Sequence, residues 1–412
     1  MAPNFIQDFY KGQADFAETF RLLVLKEDED LFSKLDFIDD NIFLDPFLFL
    51  YFRLKILGLT QMQAVNVTLQ QILFGYLKKK NILKEYSFTA FSNTYGRVYL
   101  PRVGYFDLKV TNIPVEVVFT KDRNEFEFFL NGEKITHIFT PVKFLKHSDI
   151  ELYQFDEPLF SSLYTKWFQN ENGNRIKKNL PAYKLSPSSL YQQNHSKIDF
   201  AFQILRNSPL NYCRLLEMST KGVYSFQQEG LWSFAGKSAH GASFLCGHET
   251  DSVIFFFCEL AHQGGHSIFD AILYKPEKIF AVSPDSLMAE LSGNPADDRT
   301  LADALHGLFT TSKVAEVLNY IYTVQHKLKL NNDHKHEILG RLADNHYRHR
   351  TGLQNLDHKK VFTVKGFQIY SALDNYLVRV YKKYGDIPVR YKYGQGDFVF
   401  NYEAFKLSHP LK

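Results

Sequence analysis

Apolar and polar positions change their period several times along the chain. Up to about residue 90 the period is helical. Met62, Val65, Leu69, Ile72, Leu73 and Tyr76 recur at the i, i+3, i+4 spacing of one buried face. Lys78, Lys79 and Lys80 follow, as suits the negative end of a helix dipole. The most apolar run, residues 42–57, carries Asp45, Arg53 and Lys55. A membrane span needs about 18 or more apolar residues with few charges, so this run predicts a core helix. From about 94 to 155 the pattern alternates. VEVVF, KDRN, EFEFFL and NGEK predict strands joined by turns, with Asn131-Gly132 as the hairpin signal. Residues 170–181, NENGNRIKKNLP, predict a linker or long loop.

Beyond that loop, KIDFAFQILRNSP predicts a helix ending near Pro209, and GLWSFAGKSAHGASFLCG predicts short strands with Gly turns. TLADALHGLFTTSKVAEVLNYIYTVQHKL reads as one or two helices. Residues 333–350 read as a polar helix whose histidines form a solvated face. FTVKGFQIYSALDNYLVRVYKKYG reads as an amphipathic helix entered through Thr363 and Gly366, and the last 25 residues as short strands.

The chemistry concentrates in VIFFFCELAHQGGHSIFDAILY. His262 and His266 stand at i and i+4, on one helical face and about 6 Å apart along the axis. Two imidazoles so placed reach one metal ion. Asp251 is the expected N-cap. The pair sits in one of the most apolar stretches of the chain, where unpartnered polar groups are costly. Hydrogen-bonded core histidines are the competing reading. Gly264 and Gly265 each cost about 1 kcal/mol relative to Ala in a helix, which is tolerable where a ligand or another backbone approaches closely. Gln263 occupies the position at which a zinc peptidase carries its general-base Glu. An amide cannot take a proton, so peptidase chemistry is disfavoured. An oxygen-activating iron centre asks only for ligands and shape. Glu259 and Asp270 are candidates to orient a ligand imidazole. Asp270 lies about 12 Å along the axis from His262, too far to favour it as a direct ligand, although a set of two His and one acid stays open.

Composition narrows the alternatives. Across 412 residues, 48 basic side chains stand against 45 acidic ones, which gives no electrostatic case for nucleic acid. Three cysteines without CxxC spacing support neither a disulfide framework nor a thiolate zinc site. MAPNFIQDFYKGQADF lacks the basic-then-apolar pattern of a secretory signal, so a soluble, cytoplasmic protein without membrane partners is expected. There is no GxGxxG, GxxxxGK[ST] or GxSxG. Ser238, His240 and Cys246 lie close in sequence, yet nothing there sets nucleophile–base geometry. His240 and His248 are candidate pocket residues.

In order, SAHGASFLCG with DSVIFFFCELAHQGGH, then DDRTLADALHGLFTTSKVAEVLNYIY, then FTVKGFQIYSALDNYLVRVYKKY resemble the HExxH-type 2-oxoglutarate-dependent peptide β-hydroxylases, which modify ribosomally made precursor peptides. The resemblance spans roughly residues 150–385. It implies that His262, His266 and His306 hold Fe(II), and that Arg299, before Leu-His-Gly, meets the 2-oxoglutarate carboxylate as a bidentate partner. It implies a precursor peptide as substrate and molecular oxygen as co-substrate. The peptide would add as a strand beside residues 242–245. The departure is Gln263 in place of the motif Glu, which opens the alternative of a catalytically weakened relative that binds a peptide or partner. A zincin-type hydrolase is the more distant alternative. The expected fold is α+β: a mostly helical zincin-like metal-binding core over 151–385 with a small mixed sheet, an N-terminal α/β region over 1–150 for peptide or partner recognition, and a β-rich tail over 386–412.

Overall fold

The computed structural model describes residues 3–58, 66–163, 186–228, 231–349, 352–392 and 400–411. The expected loop at 170–181, and Met62 and Val65, lie outside these residues. The fold is α+β, with small sheets set against a helical body. The principal helices are α1 (Pro3–Glu27), α2 (Pro46–Ile56), α3 (Leu69–Leu73), α4 (Pro187–Arg206), α5 (Asn211–Ser219), α6 (Val253–Ile272), α7 (Leu301–Val324), α8 (Asn332–His349) and α9 (Val364–Lys383). The strands are β1 (Glu85–Phe91), β2 (Arg97–Leu100), β3 (Gly104–Asp107), β4 (Pro114–Thr120), β5 (Glu125–Leu130), β6 (Glu133–Ile135), β7 (Ile138–Pro141), β8 (Glu151–Leu152), β9 (Gly222–Phe226) and β10 (Ala242–Cys246).

Local chemistry explains most boundaries. The apolar run of residues 42–57 divides into the end of a 3-10 helix, Asp40–Leu44, and α2, with Pro46 at its first helical position and the Asp45 carboxylate accepting from Phe47 N–H. The segment TLADALHG… forms one helix, α7, opened by a reciprocal Thr300–Asp303 capping box. Thr363 caps α9 through Gly366 N–H, as its sequence predicts. Asn131 and Gly132 both take positive φ, which a hairpin turn of this hand requires, and join β5 to β6.

Sheet order is β1-β4-β5-β6 and β2-β3-β7, both antiparallel, and β10-β9-β8, parallel. The N-terminal region thus pairs helices with antiparallel sheets and is not an alternating α/β unit. The mixed character of the third sheet comes from two isolated antiparallel bridges, Phe234 to Phe244 and Phe144 to Glu151.

Residue 150 is no packing boundary. A Cβ at Gly12 of α1 would overlap the Ala271 carbonyl of α6, so the two helices touch at backbone level. Phe5 meets Phe309, and Phe47 meets Tyr153 and Phe160. One hydrophobic cluster runs from Phe5 to Tyr384. In the tail, Ile387–Arg390 and Tyr402–Ser408 are helical, which corrects the strands expected there. Phe405, fully buried, anchors the second of these helices, and a Cβ at Gly340 of α8 would overlap its ring. No helix among the described residues is long and apolar enough to cross a membrane.

Candidate metal centre

The apolar approach Val253–Phe257 is buried throughout and locks α6 into the core. Ser252, not Asp251, caps the helix by accepting from Ile254 and Phe255 N–H. Asp251 instead accepts from His248 N–H at 2.6 Å. Cβ atoms at Gly264 and Gly265 would meet Leu216 of α5 and Thr310 of α7. Neighbouring helices, rather than a ligand, occupy the space those glycines leave open.

Helices α6 and α7 pack face to face and bring three histidines into a row. Ring centroids are 5.0 Å apart for His262 and His266, and 4.5 Å apart for His266 and His306. The Phe269 ring covers His306 at 5.1 Å. All three side chains are half-buried. Burial pulls His262 down to about 3, with Arg348 and His306 adding to the effect. It also holds His266 and His306 well below the ordinary histidine value. The row is therefore neutral at physiological pH, and each ring offers one lone pair. His306 Nε2 lies 3.2 Å from the His266 carbonyl oxygen. A carbonyl only accepts, so Nε2 carries the proton and Nδ1 holds the lone pair. An imidazole whose one nitrogen donates to a carbonyl has the usual orientation of a metal ligand.

The donor chemistry thus fits a divalent first-row metal. Among the described residues, however, no three His, Cys, Asp or Glu side chains already converge as a metal-binding group. Two imidazoles are set by the helical i, i+4 spacing, and the third stands on a neighbouring helix with its Nε2 turned to a backbone carbonyl.

The remaining sequence candidates divide. Gln263 Nε2 donates to Glu259 at 3.0 Å, while Gln263 Oε1 is buried without a partner. Glu259 is thus engaged along its own helix and orients no histidine. Asp270 is buried with Oδ2 unpartnered and bonds neither His262 nor His266. Burial pushes its carboxyl up to about 7. His240 lies apart from the row, buried against Phe16 and Phe49, with Nε2 3.1 Å from Gln13 Nε2. Arg299 does not present a free fork, because Asp297 takes it in two bonds of 2.7 Å. The cations whose charge acts on the row are instead Arg348, on His262, and the exposed Lys237, on His306 and Asp270. No motif marks either in the sequence.

Two other expectations are corrected. The outer edge of β10 is taken, since Phe244 exchanges both backbone bonds with Phe234 and Ser233 Oγ accepts from Cys246 N–H. A peptide strand would have to displace these partners. The α8 histidines are not all solvated. His336 and His349 are buried, as is the Glu337–Arg341 ion pair. Burial raises the Cys246 thiol to about 12, which disfavours a thiolate there. No protein-family model and no curated protein sequence matches the chain.

Proposed function

We propose that this chain is a non-haem iron oxygenase that uses 2-oxoglutarate and hydroxylates a peptide side chain, with Fe(II) held by His262, His266 and His306. The observation that carries the reading is the row of three neutral imidazoles on the packed faces of α6 and α7. Bound iron would supply oxygen activation, coupled to oxidative decarboxylation of the keto acid to succinate.

The chain's own residues do the rest. His306 keeps its Nε2 proton on the His266 carbonyl and presents Nδ1. Lys237, an exposed cation whose charge reaches His306, is the group that would receive the keto-acid carboxylate, since Arg299 is held by Asp297. Phe269, stacked on Phe309 at 4.6 Å, covers the His306 ring on its apolar side. Gln263 cannot act as a base, which fits an oxygenase and speaks against a zincin-type hydrolase. The zincin-like arrangement of the metal-bearing helix belongs to the same proposal.

A second reading has its own support. The three donors do not converge as they stand, and Gln263 is tied to Glu259. A relative that kept the fold and binds a peptide without turnover would look this way.

One titration separates the two. Under anaerobic conditions, Fe(II) followed by 2-oxoglutarate is expected to raise the weak visible band of a chelated keto acid. The band should saturate and disappear in His262→Ala. Full iron occupancy in His266→Ala would remove the site assignment. Absence of both metal binding and band in the wild-type chain would leave the binding protein.

A further inference from the structure

A second built site lies where α2, α3, β1, β2 and the segment from Glu157 to Leu159 meet. It is a small cleft, open to solvent, with Phe47, Ile72 and Leu159 among its apolar walls. Its polar lining includes Asn93, Arg97 and Glu157. None of these contributes to the imidazole row.

The three polar groups share one property. Glu157 is 4% exposed, and its Oε1 has no partner. Asn93 Nδ2 is likewise buried and unpartnered. The Arg97 guanidinium lies over Phe155 at 4.4 Å and beside Tyr95 at 5.9 Å, yet makes no ion pair or hydrogen bond among the described residues. The adjacent acid shows what a structural carboxylate looks like here. Asp156 accepts from Ser161 at 2.8 Å, from Tyr224 at 2.7 Å and from Tyr95. Unpaired buried groups are costly, and Glu157 and Asn93, each with a buried atom that lacks a partner, flank a half-buried guanidinium that also lacks one; the set points to a ligand that supplies all three.

An anion alone would pair Arg97 and Asn93 but leave Glu157 without a donor, beside Asp156. A cation alone would face Arg97. A zwitterion serves both ends, and the apolar walls ask for an apolar side chain. We propose that the cleft binds a free α-amino acid with an apolar side chain, its carboxylate on Arg97 and Asn93 and its ammonium on Glu157.

The charged groups facing Glu157 are Asp156, Glu151 and Arg97. Burial, then Asp156 and Glu151, hold its carboxyl well above the usual range, which favours the neutral acid in the absence of a cation. Arrival of an ammonium ionises it. The Glu157 O–H bond breaks, its proton leaves to buffer, and the carboxylate accepts from the ligand N–H.

Titration calorimetry on the full chain at pH 7, in two buffers of different ionisation enthalpy, tests this with L-leucine, leucinamide, N-acetyl-L-leucine and inorganic phosphate. Leucine should bind saturably and release about one proton. Leucinamide and N-acetyl-leucine should each bind at least about tenfold more weakly, since each loses a charge-assisted contact. Arg97→Gln should close the gap between leucine and leucinamide, and Glu157→Gln should abolish proton release. If Arg97→Gln fails to fold, the ligand comparison on the wild-type chain still decides. N-acetyl-leucine or phosphate binding as tightly as leucine would overturn the proposal. So would leucine binding that is unchanged in folded Arg97→Gln, or the absence of saturable heat with leucine.

Discussion

The imidazole row and the carboxylates of the N-terminal half bury ionisable groups in different ways. In the N-terminal half, buried acids are met by tyrosines. Tyr76 donates to Asp45 at 2.6 Å, Tyr99 to Glu151 at 2.8 Å and Tyr224 to Asp156 at 2.7 Å. Each hydroxyl supplies the proton a carboxyl oxygen needs, and the group becomes part of the scaffold. In the row, the three histidines have one another and a single backbone carbonyl. Among the described residues, no carboxylate or hydroxyl takes up the remaining nitrogens. Where partners are supplied, burial yields structure. Where they are withheld, burial yields neutral, lone-pair-bearing groups of the kind chemistry uses. Glu157 stands within the first region but follows the second rule.

The largest effect should come from separating α1 from α6. Gly12→Leu forces a side chain against the Ala271 carbonyl, which has no room to give. A loss of about 3 kcal/mol or more is expected from overpacking a backbone contact, read by chemical denaturation. A melt unchanged from wild type would mean that α1 is not packed on the row's helix.

Next comes the hydroxyl that Glu151 depends on. Tyr99→Phe removes its 2.8 Å donor and leaves the more distant Tyr105 at 3.5 Å. A loss of about 1–3 kcal/mol is expected, as for a buried acceptor left short of a partner. Denaturation at pH 7 measures it, and no loss would mean that the tyrosine is a bystander.

The pH dependence sharpens the contrast between acids and imidazoles. Burial raises Glu151 from 4.5 to about 8. Its favourable share is complete below 4.5, where both states hold the proton, and is lost as pH rises towards 8. Glu151→Gln should flatten that decline in melting temperature. Burial lowers His240 from 6.5 to about 3. Its share is complete above 6.5 and is lost as pH falls towards 3. His240→Phe should flatten the acid limb and leave the alkaline limb unchanged. Parallel profiles for wild type and both variants would break the contrast.

The smallest effect should be at the hairpin between β5 and β6. Gly132 has φ of 82° and nothing near its Cβ position, so Gly132→Ala tests backbone conformation alone. About 1 kcal/mol of destabilisation is expected. It should leave metal binding at the row unaltered.

Much of the helical framework was legible because its signals are local. Thr363 with Gly366 starts a helix where the sequence predicts, and Asp45-Pro46 and Thr300 with Asp303 open helices inside segments expected to be helical. The i, i+4 placement of His262 and His266 follows from helical period alone. His306 could be tied to them only through the family resemblance, because forty residues separate it from His266 and contact depends on how α7 lies on α6. The α8 histidines misread as solvated show the reverse limit. A polar helix buries its charges when a partner such as Arg341 for Glu337 comes from the same helix. The tail was misread because short aromatic segments suit strands and helices alike, and only docking of Phe405 decides between them.

By itself, then, the sequence determined periods, caps, the Asn-Gly turn, a roughly neutral charge balance and the pair of imidazoles on one helical face. These depend on neighbours within a few residues. The tertiary structure alone decided that Arg299 is held by Asp297, that β10 has its edge covered, that Lys237 stands near His306, and that Arg97 and Glu157 face one cleft unpaired. Those facts concern which groups acquire partners. Partnering is set by the packing of segments far apart in the chain, where no local pattern carries the information.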